Sequence, residues 1–269
     1  MRSIAETIEA RMDPELQGIL HEAGILAEAM GFGAYAVGGT VRDLLLGRGN
    51  LDLDIVVEGE GIRFAAALAG KLRARLKGYE RFGTATITLP AGLKVDVATA
   101  RTEIYDAPAA LPRVTPGSIR EDLFRRDFTI NAMAAALAPA EFGRLLDEFG
   151  GVRDIAEGNV RVLHGRSFID DPTRIFRAVR FETRLGFRIV AADEVRIGEA
   201  LSLGLLEKLE AYRIAAELRL ILREPDPAAT LQRLARLGVL DALEGLRQGR
   251  ICLGRPLAKI RRILEAAGR

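Results

Sequence analysis

Residues 35–47 read Tyr-Ala-Val-Gly-Gly-Thr-Val-Arg-Asp-Leu-Leu-Leu-Gly, and residues 50–57 read Asn-Leu-Asp-Leu-Asp-Ile-Val-Val. A short apolar strand enters a glycine pair, Gly38-Gly39, and an amphipathic helix follows at once. A second strand then carries Asp52 and Asp54 at i and i+2. Side chains at that spacing share one face of a strand, so the aspartates point together while Leu51, Leu53 and Ile55 point the other way. Two carboxylates crowded on one face repel each other unless a cation lies between them, and oxygen donors of this kind suit Mg²⁺. The glycine pair lets backbone approach a ligand closely. The helix start behind it offers N–H groups to phosphate. A lone glycine pair is usually a turn and a lone Asp-x-Asp often a solvated edge. In this order and spacing they point to metal-dependent nucleotidyl transfer.

The surrounding chain sets bounds. With 269 residues it forms one large domain or two small ones. A net charge of +2 does not announce nucleic acid, so the distribution of charge has to carry that case. Cys252 stands alone, which leaves no disulfide framework within the chain. His21 and His164 are the only histidines and read as surface or structural residues, not as a zinc site. The start lacks an apolar signal core and no apolar run is long enough to span a bilayer, so a cytoplasmic location is expected.

Helical spacing is expected over 14–30 and 61–77, and strands over 34–37 and 51–57. Residues 84–89 and 93–98 alternate around Ala91-Gly92 and read as a hairpin. Pro108, Pro112, Pro116 and Gly117 mark 102–118 as loop. From about 165 the pattern is almost wholly helical, broken once at Arg223-Glu-Pro-Asp-Pro227. The expected organisation is an α+β head over 1–145 with a mixed sheet, then a helical part over 146–269.

Three further groups carry chemistry. Asp96 is the only acidic residue of its strand and could supply a third carboxylate. Two metals about 3.5–4 Å apart clamp an in-line displacement and need more fixed oxygens than one Asp-x-Asp offers. Residues 121–133, Glu-Asp-Leu-Phe-Arg-Arg-Asp-Phe-Thr-Ile-Asn-Ala-Met, set polar Arg125, Arg126, Asp127 and Asn131 among apolar anchors. Arginine presents a planar fork to phosphate. In residues 168–187, Asp171 precedes Pro172 and reads as a helix N-cap. Arg174, Arg177 and Arg180 recur every three residues and form a slanting basic lane along that helix.

Taken together, Gly38-Gly39, Asp52/Asp54, Arg125-Arg126-Asp127 and the 168–187 run resemble the class II tRNA nucleotidyltransferases and bacterial poly(A) polymerases of the polymerase-beta-like superfamily. The resemblance covers about residues 30–240. It implies a polymerase-beta-like head followed by a helical neck and partial body. It implies catalytic Asp52, Asp54 and Asp96, with Mg²⁺ held by Asp52 and Asp54. Nucleotide contacts would fall to Gly38, Gly39, Arg42, Arg126, Asp127, Asn131, Asp171, Arg174, Arg177 and Arg180. The run around Asp171 resembles the family's Glu-Asp-x-x-Arg motif, in which aspartate and arginine read the edge of the incoming base. This chain has Asp170 where glutamate is common.

The resemblance implies extension of a tRNA 3′ end from CTP or ATP without a template. Members adding both bases carry a flexible loop before Arg-Arg-Asp; the corresponding 101–118 holds three prolines and reads as stiffer. CC addition is therefore the favoured expectation, with A addition next and full CCA addition or poly(A) synthesis behind. The non-enzymatic alternative is an RNA-binding module that keeps the fold. The segment also resembles the nucleotidyltransferase part of larger multidomain chains; that setting, a trimmed form and a homo-oligomer all stay open. Arg247, Arg250, Arg255, Lys259, Arg261 and Arg262 form a basic end that could meet tRNA phosphates or be a solvated tail.

Overall fold

The structure is a computed structural model, and it describes residues 3–48 and 52–247. The chain divides into two compact units. The first comprises Met1–Glu103 and Val114–Ile155, the second Ile104–Arg113 and Ala156–Arg269. The basic end lies outside the described residues, apart from the backbone of Arg247.

In the first unit the elements run α1 (Ala5–Arg11), α2 (Pro14–Ala29), β1 (Gly33–Val37), α3 (Gly39–Leu45), β2 (Leu53–Glu58) and α4 (Gly61–Lys71). Strands β3 (Arg75–Tyr79), β4 (Thr84–Thr88) and β5 (Lys94–Thr99) follow. Then come β6 (Arg101–Ile104), β7 (Arg113–Pro116), α5 (Ile119–Phe124), β8 (Ala134–Ala136), β9 (Leu145–Leu146) and α6 (Gly151–Glu157). Seven strands form a mixed sheet in the order β3-β4-β5-β2-β1-β8-β9. Only the β2–β5 pair is parallel; the other five pairs are antiparallel. The mixed sheet expected from sequence is thus present.

Alternation explains the layering. Leu53, Ile55 and Val57 of β2, Ala85 and Ile87 of β4, and Val95 and Val97 of β5 are buried in one core with Phe64 and Leu68 of α4 and Leu20 of α2. The intervening positions Asp54, Thr84, Thr86, Thr88, Lys94 and Asp96 face away from that core. Helix α2 starts as its sequence dictates, with Pro14 at the first turn and the Asp13 side chain accepting the Glu15 amide at 2.8 Å.

Two expectations are corrected. The helix expected over 61–77 ends at Lys71, because Arg73 takes a left-handed backbone (φ 50°) and the chain reverses. Arg75–Tyr79 is a strand held by five-residue pairing with β4, so sheet pairing overrides local helical spacing. The loop expected over 102–118 contains β6 and β7, which pair as a two-stranded sheet. Residues 84–89 and 93–98 form the expected hairpin, with Gly92 at φ 88° in its turn.

The second unit runs β10 (Asn159–Val160), α7 (Ser167–Asp170), α8 (Thr173–Leu185), β11 (Arg188–Ile189), α9 (Ala191–Ser202), α10 (Ala211–Ile221), α11 (Pro227–Arg236) and α12 (Val239–Arg247). Apart from the short parallel β10–β11 pair it is helical, as expected. The break at 223–227 holds: the Asp226 side chain accepts the Ala229 amide at 3.0 Å and restarts the chain as α11. No helix among the described residues is long and apolar enough to cross a membrane.

Candidate active site

The glycine pair joins β1 to α3. Gly38 adopts φ 61°, ψ −119°, a conformation closed to other residues without strain. A Cβ there would stand 2.5 Å from the Arg126 guanidinium, and one on Gly39 would stand 3.9 Å from Asp54 Oδ2. The turn is therefore packed between the Arg-Arg-Asp segment and the aspartates.

Asp54 lies in β2 and Asp52 immediately before it, exposed. Asp54 is the register partner of Asp96 across the parallel β2–β5 pair. The Thr86 hydroxyl donates to Asp96 Oδ1 at 2.6 Å and fixes that carboxylate. Burial pushes the Asp54 carboxyl up to about 6; the Arg126 charge opposes this, and the Asp96 and Asp52 charges reinforce it. The structure thus brings Asp52, Asp54 and Asp96 into one electrostatic neighbourhood.

That neighbourhood suits a divalent cation. Its donors are all carboxylate oxygens, and the mutual repulsion felt by Asp54 is the kind a cation relieves. Among the described residues no three His, Cys, Asp or Glu side chains already converge as a ligand set.

The Arg-Arg-Asp segment is built on a carboxylate that sequence reasoning passed over. Asp122, fully buried in α5, accepts from Arg125 Nε and Nη2 at 3.0 and 2.6 Å on Oδ1. It accepts from Arg126 Nε and Nη2 at 3.2 and 2.9 Å on Oδ2. Burial alone would raise this carboxyl, but the Arg126 and Arg125 guanidiniums hold it below its ordinary value. Helix α5 is in turn held by a Ser118–Glu121 capping box. Arg126 also donates to the Asn131 carbonyl at 3.4 Å. Asp127 Oδ1 accepts the Asn131 side-chain amide and the Phe128 backbone amide, both at 2.9 Å. Asn131 Oδ1 accepts from Arg42 at 2.5 Å, and Arg42 forks onto Asp43 at 2.9 and 2.8 Å. Gly38, Gly39, Arg42, Arg126, Asp127 and Asn131 thus belong to one network in the first unit.

Thr40 was also missed. Its buried hydroxyl donates to the Asp52 carbonyl at 2.7 Å and accepts the Asp54 amide at 3.0 Å. A threonine after a glycine pair gives no sign of such a long-range clamp. Asp122 did leave one: it sits four residues before Arg126, the spacing of a helical ion pair.

Asp171, Arg174, Arg177 and Arg180 belong to the second unit. Helix α8 begins at Thr173 with Pro172 as N-cap, so Asp171 lies one residue further out than expected. Its side chain still caps: Oδ1 accepts the Thr173 amide at 3.0 Å and the Thr173 hydroxyl at 2.6 Å. Arg213 of α10 donates to the same oxygen at 2.9 Å and to the Ala109 carbonyl at 3.1 Å. Arg174 is buried and donates to Ser167 Oγ at 2.6 Å. Arg177 and Arg180 lie 5.7 and 5.4 Å from the Phe181 ring centre. Arg180 is buried, 3.7 Å from Glu217 and 3.6 Å from Glu224. Two of the three arginines of the basic lane, Arg174 and Arg180, are thus buried within the helical unit, and Arg180 faces two glutamates there.

Residues 34–161 match the model of the poly A polymerase head domain. The A-adding tRNA nucleotidyltransferase of Geobacter sulfurreducens is 46% identical over 239 residues, covering 89% of this chain and 27% of that protein. The CC-adding tRNA nucleotidyltransferase of Deinococcus radiodurans is 39% identical over 210 residues, covering 78% of this chain and 55% of that protein. The solved apo form II of a CCA-adding enzyme superposes with a TM-score of 0.86 at 44% identity, over 90% of this chain and 57% of that one. The chain therefore spans between about a quarter and just over half the length of these proteins. Nucleotidyltransferases of this family generally use a divalent metal. Over residues 34–161 the chain is similar to the poly A polymerase head domain, and along most of its length it is similar to A-adding and CC-adding tRNA nucleotidyltransferases and to a solved CCA-adding enzyme.

Proposed function

We propose that this chain adds nucleotides to the 3′ end of a tRNA and releases pyrophosphate. The 3′-hydroxyl oxygen bonds to the α-phosphorus of the incoming triphosphate, the hydroxyl proton leaves, and the bond to the pyrophosphate oxygen breaks. The observation that carries this reading is Asp54 paired in register with Asp96 beside the Gly38-Gly39 turn. Asp52, Asp54 and Asp96 would hold a divalent cation, Mg²⁺ in this reading, which would neutralise charge on the reacting phosphate. The Gly38-Gly39 backbone and Arg42 would meet the triphosphate, with Arg126, Asp127 and Asn131 meeting phosphate and sugar. Asp171 and Arg174, in the helical part from about residue 146, would read the base, with Arg177 and Arg180 supporting that helix. A carboxylate accepts the exocyclic amine of cytosine or adenine and a guanidinium donates to the ring edge, a pattern uracil and guanine do not match.

Segment 102–118 supports an enzyme that serves one base, because its prolines and the β6–β7 pairing restrict the motion a base switch requires. That restriction fits CC addition, the expectation from sequence, and fits A addition equally. The higher identity to the A-adding relative, 46% against 39%, favours A. We therefore rank AMP addition to a tRNA ending in CC first and CC addition second.

The test incubates the chain with tRNAs ending before CCA, at C and at CC, each with one labelled nucleoside triphosphate. AMP joined only to the CC end supports the first reading, and two cytidines joined to the shortest end support the second. No addition to any end, or undiminished addition by the Asp52→Ala and Asp54→Ala variants, overturns the reaction.

A further inference from the structure

The face of the sheet that carries Asp54 and Asp96 continues past them to the edge. Cross-strand register sets Lys77 opposite Thr86, Thr86 opposite Asp96, and Asp96 opposite Asp54. One row of side chains thus runs over four strands from the edge to the carboxylates. A neighbouring row runs Arg75, Thr88, Lys94, and another runs Tyr79, Thr84, Ala98. On β3, Leu76 and Gly78 fall opposite the buried Ile87 and Ala85, so Arg75, Lys77 and Tyr79 point to the open face.

Every residue of β3 is exposed, as is Lys94. The Lys77 ammonium lies 5.1 Å from the Tyr79 ring centre, a cation–π contact. No acidic residue lies in β3 or β4, and Asp96 is the only one in β5. Over β3, β4 and β5 this face therefore offers three cations, one aromatic ring and three threonine hydroxyls, and the one carboxylate those strands carry, Asp96, belongs to the candidate site. With strands about 4.8 Å apart, β3 lies roughly 14 Å from Asp54.

We propose that this open face, with Arg75, Lys77 and Lys94 as phosphate contacts and Tyr79 as a stacking platform, receives the RNA strand whose 3′ end is extended at Asp54. The proposal rests on the reaction proposed above and gives it an RNA track within the first unit. Basic side chains on an edge strand also discourage pairing with other chains. That protective role requires neither the aromatic ring nor the unbroken row to the carboxylates.

The test measures binding of a tRNA transcript lacking CCA to the 269-residue chain by fluorescence anisotropy over a series of salt concentrations. The variant is Arg75→Ala/Lys77→Ala/Lys94→Ala; the control is Arg63→Ala/Lys71→Ala on α4, against the opposite face of the sheet. The variant is expected to lose about 2 from the magnitude of the log–log salt slope. Between about 50 and 200 mM salt, wild type should then lose roughly twentyfold more affinity than the variant. The control should keep the wild-type slope. Should the triple variant fail to fold by circular dichroism, Lys77→Glu alone is read, with a slope loss of about 1 expected. A variant slope equal to wild type, or an equal loss in the control, overturns the track. If wild type extends the RNA while the variant slope is unchanged, the track alone falls. If wild type neither binds nor extends the RNA, the reaction falls and the track with it.

Discussion

The Asp54 amide donates to the Thr40 hydroxyl at 3.0 Å, and the same hydroxyl donates to the carbonyl of Asp52 at 2.7 Å. One side chain of α3 thereby fixes the backbone of both aspartates relative to the glycine turn. Thr40→Val keeps the shape and removes both bonds, leaving a part-buried amide and carbonyl without this partner. The expected cost is about 1–3 kcal/mol in urea unfolding. Transfer should fall more than stability does, because Asp52 and Asp54 lose their shared anchor. Wild-type stability and rate in Thr40→Val would dismiss the clamp.

The Asp54 carboxyl, raised by burial to about 6 from 3.8, makes the metal-free fold pH-sensitive. The folded state holds this proton more tightly than the unfolded chain does. Its contribution is therefore full below about pH 4 and is lost as pH rises through about 6. Asp54→Asn removes that loss and should stabilise the metal-free protein at pH 7.5, on the order of 1–3 kcal/mol, with little effect at pH 4. It should abolish transfer at both. Equal stability changes at the two pH values, measured with chelator present, would contradict the shift.

Asp122 neutralises two guanidiniums from a fully buried position. Removing it leaves Arg125 with Glu103 as its carboxylate partner and Arg126 with the Asn131 carbonyl. Asp122→Ala is expected to cost about 3–5 kcal/mol, the range for breaking a buried pair on one side. Asp122→Asn should fold better yet raise the Michaelis constant for nucleoside triphosphate, since Arg126 is then less firmly aimed at Gly38. Thermal melts and steady-state kinetics together check this; an unchanged Michaelis constant would limit Asp122 to a stabilising role.

Base choice should follow Asp171 and Arg174. Asp171→Ala removes the oxygen that meets Thr173 and Arg213 at the start of α8. Discrimination against UTP and GTP should fall by about 1–3 kcal/mol, the worth of a bidentate base contact. Competition between labelled triphosphates reads this directly. Weakened RNA binding with intact discrimination would remove Asp171 from the base-reading role.

The glycine pair, the Asp-x-Asp and the 84–98 hairpin were legible because each is a local pattern: a strained turn, a period of two, a short reversal. The same locality misled at Arg75–Tyr79. Leu68 and Leu72 continue a helical spacing, and nothing in Arg73 announces its left-handed backbone. What makes this stretch a strand is β4, which lies further along the chain. Thr40 and Arg213 were invisible for a related reason. Their partners lie 12 and 42 residues away, and a lone threonine or arginine carries no mark of a distant bond. The extent of the basic lane was legible, but its facing was not. Arg180 turns inward because Glu217 and Glu224 arrive from later segments.

The core lies against one face of the sheet and the carboxylates sit on the other, and this alternation has a consequence for how the protein can change. Along β5, Val95 and Val97 answer to packing, while Lys94 and Asp96 answer to whatever approaches the open side. A substitution at an even position there can alter charge or ligand preference without touching what holds the domain together, and one at an odd position does the reverse. The strand thus keeps two separate inheritances interleaved at single-residue spacing. Variation in what the site accepts can accumulate on one register while the fold is preserved on the other.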